Sequence, residues 1–142
     1  MADLTAHHPP YARWAHVLLR VVASAAFMQH GAQKLFGVLG ATAVPTGSLP
    51  WIAGVIEIVG GALVLIGLFT RPVAFLLAGE MAVAYFMAHA PNSFWPAVNK
   101  GELTVLYCFI FLYFSATGAG AVSLDYIRLR RNRSEDSVTR VV

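Results

Sequence analysis

Charge is scarce in this chain. Asp, Glu, Lys and Arg make up 12% of the 142 residues, against roughly 25% in a soluble domain. So few charges exclude an ordinary water-solvated surface and point to a chain solvated mainly by lipid. Cysteine is almost absent. The single thiol, Cys108, cannot cycle through an internal disulfide, and no C-x-x-C or C-x-x-C-H occurs. That excludes an autonomous dithiol oxidoreductase and leaves no cysteine set for iron–sulfur or attached haem. Cys108 reads as a small packing residue. Gly31, Gly37 and Gly40 form no phosphate-binding loop, since no strand pattern precedes them. No resident metal is expected.

Apolar residues are abundant: 58% of the chain, with a mean hydropathy of +0.65. Four stretches have spanning length, because about 20 helical residues cross a hydrocarbon core of about 30 Å. They cover about 14–36, 49–69, 72–90 and 103–122, with a tight turn at 70–72 and a basic tail over 126–142. Backbone groups in lipid must be satisfied within the segment, so the stretches are read as helices. The expectation is one domain over 1–142, an all-α four-helix transmembrane bundle. Ala41-Thr42-Ala43 imitates a signal-cleavage site. The preceding apolar run is too long for a signal peptide and is interrupted by Arg20, so it is read as a retained anchor.

Four spans put both termini and the 70–72 turn on one side. That side collects Arg13, Arg71, Arg128, Arg130, Arg131, Arg133 and Arg140, while Lys34 and Lys100 edge the other. The positive-inside rule then places both termini in the cytoplasm. Trp14 and Tyr126 would mark the inner interface, Trp51 and Trp95 the outer. The pI of about 9.4 comes largely from the tail, read as a topology signal touching anionic lipid headgroups. No base-reading module accompanies it, so nucleic acid is not an expected partner.

Ionisable side chains inside a span are costly and are candidate functional groups. Helical rise places His30 about 9 Å below the outer end of the first helix and Glu57 about 10 Å into the second. Gln33 and Lys34 share the His30 face at i+3 and i+4. His89, Asn92, Asn99 and Glu102 join the same outer layer, giving a candidate polar pocket. A deeper layer pairs Arg20 with Glu80, each about 10–12 Å from the inner end, as a structural ion pair. Glu57 lies on a small-residue stripe, Gly54, Gly60 and Gly61, which suits close helix packing or a contact with a second copy of the chain. A Glu57–Lys34 bridge serving assembly alone and a working site remain equally open.

Several spaced motifs resemble the DoxX family. "LLRVVASAAFMQHGAQKLFG" is similar to its first helix, with an H-G-x-x-K-L-F-G ending. "IAGVIEIVGGALVLIGLFTRPVA" resembles the second helix and turn, and "AHAPNSFWPAVNKGELTVLY" the entry to the fourth helix. "GAGAVSLD" resembles the closing motif, with Ala119 in place of a proline. The resemblance runs from about Val17 to Asp125. It implies a small four-helix protein of the bacterial inner membrane, in a family loosely tied to quinone-linked redox work. The leading expectation is therefore a membrane subunit of a redox system. His30, Gln33, Lys34, Glu57 and His89 would receive a quinone headgroup, and a partner protein would supply electrons. A non-catalytic scaffold of a larger complex is the alternative, and solute or proton transport a third.

Overall fold

The computed structural model describes residues 9–139, and side chains up to residue 131. The expected tail positions Arg133 and Arg140 lie outside the described side chains. The described residues are helical without a strand: α1 (Pro10–Phe36), α2 (Leu49–Ile66), α3 (Thr70–Ala84), α4 (Pro96–Asn99), α5 (Glu102–Thr117) and α6 (Leu124–Thr139). A π-helical turn, Tyr85–His89, continues α3. Two helices are long and apolar enough to cross a membrane, Leu49–Ile66 and Thr70–His89. The fourth expected span is shorter than read, because Gly118 (φ +85°) ends α5 at Thr117.

Local chemistry explains the boundaries. Pro10 opens α1, where its missing N–H costs nothing, and Gly37 closes it in the left-handed conformation with its N–H on the Gln33 carbonyl. The Ser48 hydroxyl caps α2 by accepting from the Trp51 N–H. The expected turn at 70–72 is displaced to 67–69, so Thr70, Arg71 and Pro72 form the first turn of α3. Proline is tolerated there for the same reason as at the start of α1. The tail also begins as a helix: Ser123 Oγ accepts from the Tyr126 N–H, an N-cap contact.

α1 packs along α2 and α3 along α5, with lighter contacts between α2 and α3 and between α1 and α5. Glycines set the α1–α2 register. A Cβ on Gly31 would come within 2.7 Å of the Gly54 carbonyl oxygen, and one on Gly61 within 2.6 Å of the Met28 side chain. The backbones therefore run antiparallel at close approach, the usual purpose of small residues between membrane helices. The Gly54–Gly61 stripe faces into this chain, since Gly60 meets Leu77 of α3. A core of Phe27, Val64, Leu77, Tyr107, Phe111 and Phe114 fills the centre, with the Phe27 ring edge-on to Phe111 at 4.7 Å.

Gly67 is the tightest of these positions. Its φ is +71°, and an added Cβ would fall 1.9 Å from Arg20 Nη1. Gly67→Ala is expected to cost more than about 1 kcal/mol, read as a lower midpoint of thermal unfolding in detergent. An unchanged midpoint would contradict the assigned packing.

The outside of the bundle reverses the pattern of a soluble protein. Leu18, Val22, Val59, Phe75, Leu76, Val83 and Phe109 are exposed, while His16, Arg20, Ser24 and Glu57 are buried. Single exposed apolar residues need no explanation, but apolar faces on all the long helices do.

Candidate functional site

Lys34 and Glu57 meet across the α1–α2 seam. Lys34 Nζ donates to Glu57 Oε1 at 2.6 Å, an ion pair between neighbouring helices. The two ends differ in exposure: Glu57 is 2% exposed, Lys34 31%. His30 lies one turn before Lys34 on the same face of α1. Its ring stands edge-on to Tyr107 of α5, 5.9 Å between centroids, and within electrostatic reach of Glu57. Three of the expected pocket residues, His30, Lys34 and Glu57, are thus brought together.

The expected Arg20–Glu80 pair does not form. α1 starts at Pro10, lower than the sequence reading placed it, so Arg20 sits level with Gly67 at the end of α2. There its Nη2 donates to the Val122 carbonyl at 2.6 Å. Glu80 belongs to the other layer. Gly60 packs on Leu77, and antiparallel helices then bring Glu57 and Glu80, three residues away on each, to one level. Glu80 lies within electrostatic reach of both Glu57 and Lys34.

The remaining expected members have other partners. His89 Nδ1 is 3.1 Å from the Asn99 carbonyl oxygen and its Nε2 3.3 Å from Thr104 Oγ1. Its ring stacks on Tyr85. Asn99 in turn donates to the Tyr85 hydroxyl and the Ser93 carbonyl, and its Oδ1 accepts from the Gly101 N–H. The Tyr85 hydroxyl donates to the Phe94 carbonyl. This is a brace that holds the loop against the π turn. Gln33, near the end of α1, donates to the Leu39 carbonyl in the following loop, and Asn92 donates to the Ala88 carbonyl in the π turn. Glu102 is exposed at the first turn of α5. No hydrogen bond among the described residues joins these side chains to Lys34 and Glu57.

The site is therefore His30 and Lys34 from α1, Glu57 from α2, Glu80 from α3 and Tyr107 from α5. Sequence reasoning missed Glu80 and Tyr107 as members. Three carboxyl oxygens in it, Glu57 Oε2 and both of Glu80, are buried without a hydrogen-bond partner. Buried polar atoms are nearly always satisfied, and exceptions call for an explanation. Two carboxyl groups lie in this layer with one ammonium, which pairs with Glu57 alone. The layer therefore has free carboxyl oxygens that could hold a proton or accept a bond from a ligand's hydroxyl or amide. Among the described residues no three His, Cys, Asp or Glu side chains are placed to hold a metal ion.

The DoxX family model matches residues 15–90. A Haemophilus influenzae protein named "Uncharacterized protein" is 45% identical over 114 residues, covering 75% of this chain and 85% of its own. A Bacillus subtilis protein named "Putative oxidoreductase CatD" is 28% identical over 115 residues, covering 77% of this chain and 83% of its own. No solved structure gives a significant match.

Proposed function

The chain belongs to the DoxX family, and from that premise we propose that it is an integral membrane subunit of a redox system, quinone-linked, in the bacterial inner membrane. α1, α2, α3 with its π turn, and α5 would each cross the bilayer. The apolar outer faces of these helices support that reading, and Arg13, Arg71 and Arg128 at one end support cytoplasmic termini. The observation that carries the site is the set of partnerless carboxyl oxygens on Glu57 and Glu80, facing a lysine and a histidine inside the bundle. A quinone supplies two-electron chemistry and needs protons where water is scarce. Lys34 and His30 are suited to donate to its carbonyl oxygens, and the Glu57–Glu80 pair to hold the protons. In this reading electrons come from a partner protein, and the redox role itself is supported by the Bacillus subtilis relative's name, "Putative oxidoreductase CatD".

A non-catalytic scaffold is the second reading, favoured by the direct Lys34–Glu57 contact, which already engages one of the ammonium's three donors. The test begins with purification in mild detergent and analysis of co-purifying quinone. Glu57→Gln and Glu80→Gln each remove one carboxyl able to hold a proton; a positioned acid–base group contributes about 10²–10⁴-fold, so quinone-linked turnover should fall at least about tenfold. Folded variants with normal turnover and no co-purifying quinone would leave the scaffold reading.

A further inference from the structure

The opposite end of the bundle, where the α2–α3 and α5–α6 turns meet, holds a cavity that the redox reading does not use. Its volume is about 390 Å³, within the roughly 300–1,000 Å³ of small-ligand sites. Thr70, Arg71, Ser123, Asp125 and Arg128 supply its polar lining. The Thr70 side chain is 0% exposed, yet its hydroxyl has no hydrogen-bond partner. Behind this wall, beside Gly67, Arg20 is 2% exposed with Nε and Nη1 unpartnered.

The charges around the cavity are unequal. Asp125 is the one acid among its described lining residues, and both its oxygens are taken up by the Phe69 and Thr70 N–H groups at 2.9 Å. Those amides are therefore spent, and the free end of α3 is not the attraction. Against this one carboxylate stand three guanidinium groups. Arg20 lies within electrostatic reach of Asp125. Arg71 makes one long bond, 3.4 Å, to the Thr117 carbonyl. Arg128 lies over the Phe69 ring at 4.9 Å. Guanidinium forks and a buried hydroxyl suit a tetrahedral oxyanion.

We propose that this cavity binds a phosphoryl anion through Arg71, Arg128 and Thr70, as the headgroup of an acidic phospholipid or as free phosphate. The site is distinct from the Glu57–Glu80 layer and does not depend on any redox role. Arg20 is a positioning charge behind the wall, and Asp125 fixes the α3 end that carries Thr70 and Arg71.

Native mass spectrometry on the delipidated full-length chain in a non-ionic detergent tests the proposal. The chain is titrated with phosphatidylglycerol, phosphatidylcholine and inorganic phosphate. One phosphatidylglycerol should bind about tenfold tighter than phosphatidylcholine. Arg71→Gln with Arg128→Gln should erase that preference, while Arg13→Gln, an exposed arginine at the same end, should change it less than about twofold. Arg128→Gln alone, at an exposed side chain, keeps the test valid if the double variant unfolds, and should weaken binding about threefold or more. Competition by millimolar phosphate would assign the free anion as ligand, and its failure to compete would assign the lipid. Equal binding of the two lipids together with no phosphate binding would overturn the site. So would an Arg13→Gln loss as large as that of the cavity variants.

Discussion

Lys34→Met should cost the protein about 3 kcal/mol, while Lys34→Met with Glu57→Gln should cost clearly less than the two single changes added together. Removing the lysine leaves a 2% exposed carboxylate without its 2.6 Å partner. Breaking a buried pair from one side typically costs about 3–5 kcal/mol. The lower end applies because Lys34 is 31% exposed and can be partly solvated. Glu57→Gln removes the stranded charge, so the double variant regains much of the loss. Unfolding in detergent for all four members of the cycle measures this coupling. Additive losses would show that Lys34 and Glu57 do not act as a pair. The cycle also separates the two functional readings. If the double variant folds like the wild type but loses quinone-linked turnover, the layer works. If turnover survives in it, the layer only holds α1 against α2.

Asp125→Ala should cost about 3 kcal/mol, and Asp125→Asn about half as much. The Asp125 carboxylate accepts from the Phe69 and Thr70 N–H groups, both at 2.9 Å, which are orphan donors at the start of α3. Bonds to a charged acceptor contribute about 1.5–3 kcal/mol each, and partial exposure puts these at the lower end. Asparagine keeps one acceptor oxygen and loses the other bond. Hydrogen exchange at the Phe69 and Thr70 amides is the local readout and should quicken in both variants, more in the alanine one. Unchanged exchange would remove Asp125 as the cap. The side chain is far from this turn in sequence, so the closing "SLD" motif does its work on another helix.

That motif marks the limit of what the sequence disclosed. The start of α2 and the end of α1 were legible, because a serine cap and a left-handed glycine leave local signals. α6 is hidden in a charged, weakly apolar stretch, and its one local signal is the Ser123 cap that accepts from the Tyr126 N–H. In the site, depth counting found the Lys34–Glu57 contact but placed Glu80 with Arg20. Helix ends are not level with one another, since α1 runs past the Gly67 end of α2, so depth from a helix's own end misplaces Arg20. Measured from the α2–α3 turn, Glu57 stands eleven residues before Leu68 and Glu80 eleven after Phe69. That symmetry puts the two carboxyls level in any antiparallel hairpin and was readable throughout. Tyr107 left no such signal, since its place depends on how α5 docks against α1 and α3. The His89 network could not be read either, because the π turn shifts His89 out of the α-helical register assumed for it.

The inward-facing polar side of α1 also bears on how the chain is made. α1 has 27 residues but does not reach the apolarity of a spanning helix, whereas α2 does. In a membrane, Arg20, His30 and Lys34 would each oppose entry of α1 alone into lipid. Entry would become favourable once α2 emerges, because Glu57 pairs with Lys34 and the facing glycines let the two backbones close. The first two helices would then leave the ribosome's membrane channel as one hairpin rather than in turn. On the membrane reading, the seam joined by Lys34 and Glu57 would then serve insertion of the chain as well as the packing of α1 on α2.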